Sequence, residues 1–276
     1  MTRLLIVTAD DLGLTVGVNE AVRRAHVDGV VTATSLLAVG RAFDDAAAMV
    51  RDLPELELGA HLAIVGEDPP LLTAREIPTL VDQRGAFPLS YRRVILRGMT
   101  GRLDPGDVRR EFRAQLERIT GAGLGVSHLD THQHTHLWPT VADVVIELAA
   151  QHDIPAVRTP RSLRVLPIGF GVNLLSGRLR NQLQRNNLST TDGYTGLDEA
   201  GAFDAARFGR SLPKLDDTMG TVEINFHPGE AGDPDAGRFD WGDRWPDELA
   251  TLVSPTTRAR IESHGYRLGT FKDLRR

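Results

Sequence analysis

The chain has 276 residues, of which 41% are hydrophobic and 25% charged, ordinary values for an α/β protein with one large core. Its formal net charge of -5 provides no broad basic field of the kind that dominates nucleic-acid affinity, so no nucleic-acid partner is expected. The absence of cysteine excludes disulfides, thiolate metal sites and cysteine nucleophiles, leaving His, Asp and Glu to hold any metal.

The opening MTRLLIVTADD carries an apolar run far shorter than a signal-peptide core, and it meets two carboxylates at once. No later stretch approaches the roughly 18 apolar residues of a membrane span, and a cytoplasmic protein is expected. Residues 4–9 are apolar without helical period and read as a buried strand ending at Asp10 and Asp11. Residues 15–27 follow as a helix with Gly29 past its end, 34–39 as a strand, 42–51 as a helix, and 58–64 as a strand containing His61. Asp104 and Pro105 form a cap and first-turn pair for an amphipathic helix to about residue 120, and 125–132 returns to a strand. A helix over 141–151, strands over 154–158 and 221–226, a helix over 256–264 and a strand over 266–271 complete the alternation.

Strands and helices alternating at these lengths imply parallel pairing through crossover helices. With about seven or eight strands, a closed or nearly closed (β/α) barrel is favoured, as one domain over residues 1–276. The candidate polar residues end several different strands, which is where barrel active sites assemble. Two stretches fit the repeat poorly, 65–103 and 160–195, and read as irregular binding loops that set selectivity.

Four segments carry chemistry. Asp10 and Asp11 would repel each other without a cation, proton or donor between them, and a metal ligand beside a general base suits such a pair. One of them capping the next helix is the bland alternative. In SHLDTHQHTHLWP, strand alternation puts His128, Asp130 and His132 on one face, with His132 nearest the open end and Asp130 available to orient a ligating ring. Alone, His61 reads as a core histidine, but with Asp11 and His132 it completes an Asp-His-His set of the open kind found in catalytic centres. His227 follows the strand TVEINF and is fixed at the mouth by Pro228 and Gly229, a placement suited to a general acid. Trp138 is a candidate sugar-stacking aromatic, with a core or rim role the blander reading.

Taken together, TADDLG, GAHL, HLDTHQHTHLWP and NFHPGE occur in an order that resembles the YdjC-like carbohydrate deacetylases, a family with chitooligosaccharide deacetylases and hopanoid-associated relatives. The resemblance implies a barrel related to that of the NodB-type deacetylases, one divalent ion, and hydrolysis of N-acetyl groups on sugars. It matches Asp11, His61 and His132 to metal ligands, Asp10 to the base and His227 to the acid. Magnesium is the metal it implies first, with zinc, cobalt and nickel open. Leu12 and Asn225 depart from the pattern, where Phe and an apolar residue are frequent.

Such a reading assigns Asp10 to deprotonate water and His227 to protonate the departing nitrogen. Two rivals stand beside it: a barrel metallohydrolase acting on a non-sugar amide or phosphoester, and a non-catalytic sugar- or metal-binding protein of the same fold. The exact acetylated substrate, a homo-oligomeric state, and contacts of His128 or His134 with metal or substrate stay open.

Overall fold

In the computed structural model, which describes residues 3–164, 167–215, 219–242 and 244–274, seven parallel strands form one curled sheet. They are β1 (Arg3–Leu12), β2 (Ala33–Leu36), β3 (Glu57–Leu62), β4 (His128–Thr131), β5 (Ala156–Val157), β6 (Gly193–Thr195) and β7 (Thr221–Phe226). Their order is β5-β4-β3-β2-β1-β7-β6. An eighth strand, β8 (Tyr266–Leu268), pairs with Arg3 to Leu5 of β1. It shares that edge with β2: Gly269 donates to the Leu5 carbonyl and Thr32 to the Val7 carbonyl, each at 3.0 Å.

The expected barrel is thus a curled sheet closed by a seam in place of a ladder. Ala156 of β5 bridges Ser189, just ahead of β6; Val157 donates to the Ser189 carbonyl at 3.0 Å and Ser189 to the Pro155 carbonyl at 2.8 Å.

Helices α1 (Val16–Val27), α2 (Phe43–Arg51), α3 (Tyr91–Met99), α4 (Pro105–Gly121) and α5 (Pro139–Gln151) accompany the first five strands. Thr15 caps α1 by accepting from the Val18 N–H at 3.0 Å, so neither Asp10 nor Asp11 is spent as the cap. Asp104 caps α4 through the Gly106 N–H at 2.8 Å. Val108, Phe112, Leu116 and Ile119 then bury one helical face against the sheet. After β5 come α6 (Pro167–Arg185), α7 (Ala205–Ser211), α8 (Trp245–Leu252) and α9 (Pro255–Ser263).

Strand alternation divides the interior. Leu5, Val7 and Ala9 of β1 join the large core beneath the helices, while Leu4 and Ile6 join Ala33, Ala156, Phe271 and Leu274 in a smaller cluster. This cluster plugs the barrel on the side of the β1 N-terminus. Burying a side chain such as Ile6 contributes about 1.5–3 kcal/mol. Further along, Thr8 and Asp10 occupy the same inward register, as do His61, Asp130, Glu223 and Asn225 on their strands.

Two expectations need correction. Residues 160–195 are not irregular: they hold the nineteen-residue α6 and the strand β6. Gly169, Gly171 and Gly177 lower intrinsic helix propensity and conceal α6 in the sequence. Residues 65–103 likewise contain the nine-residue α3. The last strand ends at Leu268, and Phe271 opens a short 3-10 turn. Among the described residues, no helix is long and apolar enough to cross a membrane.

Candidate active site

Consecutive strand residues normally face opposite sides, which would send Asp11 toward the helices. A shift of register between Ala9 and Leu12 marks a bulge, and Asp11 adopts φ 64. Both carboxylates therefore reach the barrel mouth, the way bulges beside active sites re-aim a side chain. A second bend follows β4, where Gln133 and His134 take φ 50 and 53 and turn the chain just after His132.

Three predicted residues converge on one point. Asp11 Oδ1 lies 3.3 Å from His61 Nε2 and 3.0 Å from His132 Nδ1. Ligands about 2.1 Å from one octahedral ion stand about 3 Å apart, so the donor set fits a divalent cation. The other nitrogen of His61 faces Asp130 Oδ1 at 2.7 Å and Ser35 Oγ at 3.2 Å. Asp130 thus orients the ring of His61, on the neighbouring strand.

Electrostatics also fits a cation. Burial opposes ionisation of Asp11, yet His132 and His61 hold its carboxyl well below the usual range. Burial would strip the proton from His61, but Asp130 and Asp11 outweigh it and push the ring up to about 10. A pocket that recruits a proton onto a fully buried imidazole carries an excess of negative charge, which a divalent ion would equally neutralise.

Asp10 belongs to a separate network. Ser35 Oγ donates to its Oδ1 at 2.8 Å, Asn225 Nδ2 to its Oδ2 at 2.9 Å, and Arg158 to both oxygens at 2.7 Å. Arg158 also meets Asp130 at 2.7 Å and Glu223 at 2.8 Å, and Thr8 Oγ1 donates to Glu223 at 2.9 Å. Burial works against the Asp10 anion, but the Arg158 guanidinium holds its carboxyl below the ordinary range. At Glu223 burial prevails over Arg158 and pushes the carboxyl up to about 7. Arg158, Glu223, Asn225 and Ser35 were not among the candidates read from the sequence. The alternation of Glu223, Asn225 and His227 along TVEINFH is the same signal that marks His128, Asp130 and His132.

His227 sits at the rim, its Nε2 4.0 Å from Asp10 Oδ2 and its side chain 16% exposed. Its backbone N–H donates to Glu248 Oε2 at 2.6 Å, and Glu248 Oε1 accepts from Phe203 at 3.0 Å, so α8 fixes the turn that carries the histidine. His128 lies elsewhere: its ring stacks on Phe271 at 3.8 Å, Ser127 Oγ is 3.0 Å from its Nδ1, and burial pushes it down to about 3. His136 is bound to Thr131 Oγ1 at 2.7 Å and the Arg158 carbonyl at 3.0 Å, and burial lowers it to about 4. Both are neutral structural histidines. Trp138 packs its indole against Gly98 of α3, away from the cavity, which takes the stacking role from it.

The five predicted residues all line one cavity of about 200 Å³, with Gln133, His134, Leu197, Ala200 and Trp241 completing it. The model of the YdjC-like protein family matches residues 4–263. The chain belongs to the YdjC-like family. This YdjC-like protein is 32% identical over 276 residues to a carbohydrate deacetylase of Geobacillus stearothermophilus, covering 99% of both chains. It is 29% identical over 270 residues to a carbohydrate deacetylase of Brevibacillus brevis, covering 98% of this chain and 99% of that one. A solved structure from Enterococcus faecalis V583, described as a cellobiose-phosphate cleavage protein, superposes with TM-score 0.84 at 23% identity. It covers 99% of this chain and 98% of the other, and shows the fold of the YdjC-like protein.

Proposed function

We propose that this YdjC-like protein is a metal-dependent hydrolase that removes acetyl groups from N-acetylated sugars or oligosaccharides, chitooligosaccharide-like ones among them. The observation that carries the reading is the meeting of a three-residue metal cradle with a separately held carboxylate and a rim histidine in one cavity. The carbohydrate deacetylases among its relatives support it.

An amide is a poor electrophile and its amine a poor leaving group, so both ends of the bond need assistance. Asp11, His61 and His132 would hold a divalent ion, magnesium first and zinc, cobalt or nickel as alternatives, which would supply Lewis acidity toward the acetyl carbonyl and water. Asp10 takes the proton of the attacking water. Ser35, Arg158 and Asn225 fix the direction in which its carboxylate faces. His227, across from Asp10, delivers a proton to the departing nitrogen. Asp130 keeps the Nε2 of His61 turned toward Asp11.

The test is acetate release from N-acetylated mono- and oligosaccharides, measured with chelator and after adding back magnesium, zinc, cobalt or nickel. Release that stops with chelator and returns with one metal supports the reading. Undiminished release after complete metal removal overturns the metal dependence, and no release from any acetylated sugar overturns the substrate class.

A further inference from the structure

The active-site cavity has an aromatic wall that the proposed chemistry does not use. Trp241, in the loop between β7 and α8, lines the cavity beside His132, with ring centroids 5.4 Å apart. Phe239 at 4.8 Å and Trp245 at 5.9 Å back the indole, which stays partly exposed. Its N–H donates to Glu67 Oε1 at 2.8 Å. The second oxygen of Glu67 is buried and has no hydrogen-bond partner among the described residues.

Three other loops hold this one across the mouth. Asp233 accepts from Thr15 Oγ1 at 2.5 Å, while Arg238 reaches Asp68, which Arg41 also meets at 3.3 Å. The indole is therefore set before any ligand arrives, which reduces the ordering cost of binding.

The apolar C–H face of a pyranose packs on an indole, and the partly exposed Trp241 presents such a face to the cavity. A cavity of about 200 Å³ is smaller than the roughly 300–1,000 Å³ that encloses a whole drug-sized ligand, so it suits an acetamido group and part of one ring.

We propose that Trp241, positioned by Glu67, determines specificity for a pyranose: the ring that bears the acetamide stacks on the indole. The proposal rests on the sugar-deacetylase reading and adds the residues that select the sugar. Acyclic acetyl compounds lack that face.

The metal-loaded full chain is assayed on di-N-acetylchitobiose and on vinyl acetate, an acetyl donor with no ring. Trp241→Ala should lower the ratio of kcat/KM for the sugar to that for vinyl acetate about tenfold, through KM. Trp241→Phe should restore most of it, and Glu67→Gln should lower it several-fold. An unchanged ratio in Trp241→Ala and Glu67→Gln overturns the proposal; should the alanine variant fail to fold, Trp241→Phe and Glu67→Gln decide through the quenching of tryptophan fluorescence by di-N-acetylchitobiose. Quenching in the wild type that is lost in Trp241→Phe and weakened in Glu67→Gln supports the platform even without acetate release, in which case the deacetylase reading alone fails. Acetate release with a ratio insensitive to both residues leaves that reading standing and removes the platform.

Discussion

The two terminal nitrogens of Arg158 each stand 2.7 Å from a different oxygen of Asp10, a two-pronged ion pair closed to solvent on both sides. The same guanidinium faces Asp130 and Glu223, so one cation serves three buried acids. Removing it in Arg158→Ala leaves Asp10 and Asp130 buried without their shared guanidinium. A loss of about 3–5 kcal/mol is expected in denaturant unfolding at pH 7. A loss below about 1 kcal/mol would show that other groups hold these acids.

Asp10→Asn keeps the volume of the side chain and removes its capacity to accept the proton of water. Turnover is expected to fall by about 10²–10⁴-fold while bound metal stays near one per chain. Equal losses of metal and activity would make Asp10 a ligand instead of a base.

Metal analysis separates the cradle from its neighbours. Asp11→Ala, His61→Ala and His132→Ala each remove one converging atom and should each lower occupancy. His128→Ala should retain metal but unfold more easily, because it deletes the ring stacked on Phe271. Metal loss in His128→Ala with retention in His132→Ala would invert this assignment.

Glu223 gives the fold a pH signature. Burial pushes its carboxyl up from 4.5 to about 7, so the folded chain binds a proton that the unfolded chain has released. Its contribution to stability is full below about pH 4.5 and is lost as pH rises through 7. Unfolding free energy measured across that window should carry a downward term that Glu223→Gln removes. A profile with the same slope in both proteins would place the Glu223 carboxyl near its ordinary value.

His227 is distinguished by leaving group. An amine leaves only when protonated, whereas a phenolate leaves without help. His227→Ala should therefore slow acetamide hydrolysis by about 10²–10⁴-fold and aryl acetate hydrolysis far less. Comparable losses on both substrates would assign it to the oxyanion.

Asp10, Asp11, His132 and His227 were legible in the sequence because they stand at or just past the ends of strands, and His61 because it completes a set with Asp11 and His132. Arg158 was hidden since it closes a two-residue strand with no motif around it. Glu223 and Asn225 are hidden inside TVEINF, because the run defines a strand but does not show which of its two faces turns inward. The helix α6 escaped because glycine-rich, weakly amphipathic sequence becomes helical there through packing of residues such as Leu179 and Leu183. The seam at Ala156 and Ser189 depends on two segments more than thirty residues apart, which no local pattern encodes.

The left-handed backbone at Asp11 narrows the inheritance of this position before chemistry is considered. Glycine, asparagine and aspartate enter that region at least cost, and of the three only aspartate brings a carboxylate. A descendant that abandoned the reaction but kept the fold should therefore drift at position 11 to asparagine or glycine, and seldom to alanine or serine. Genomes that retain such silent copies would record the bulge of β1 in the residue type at position 11 alone.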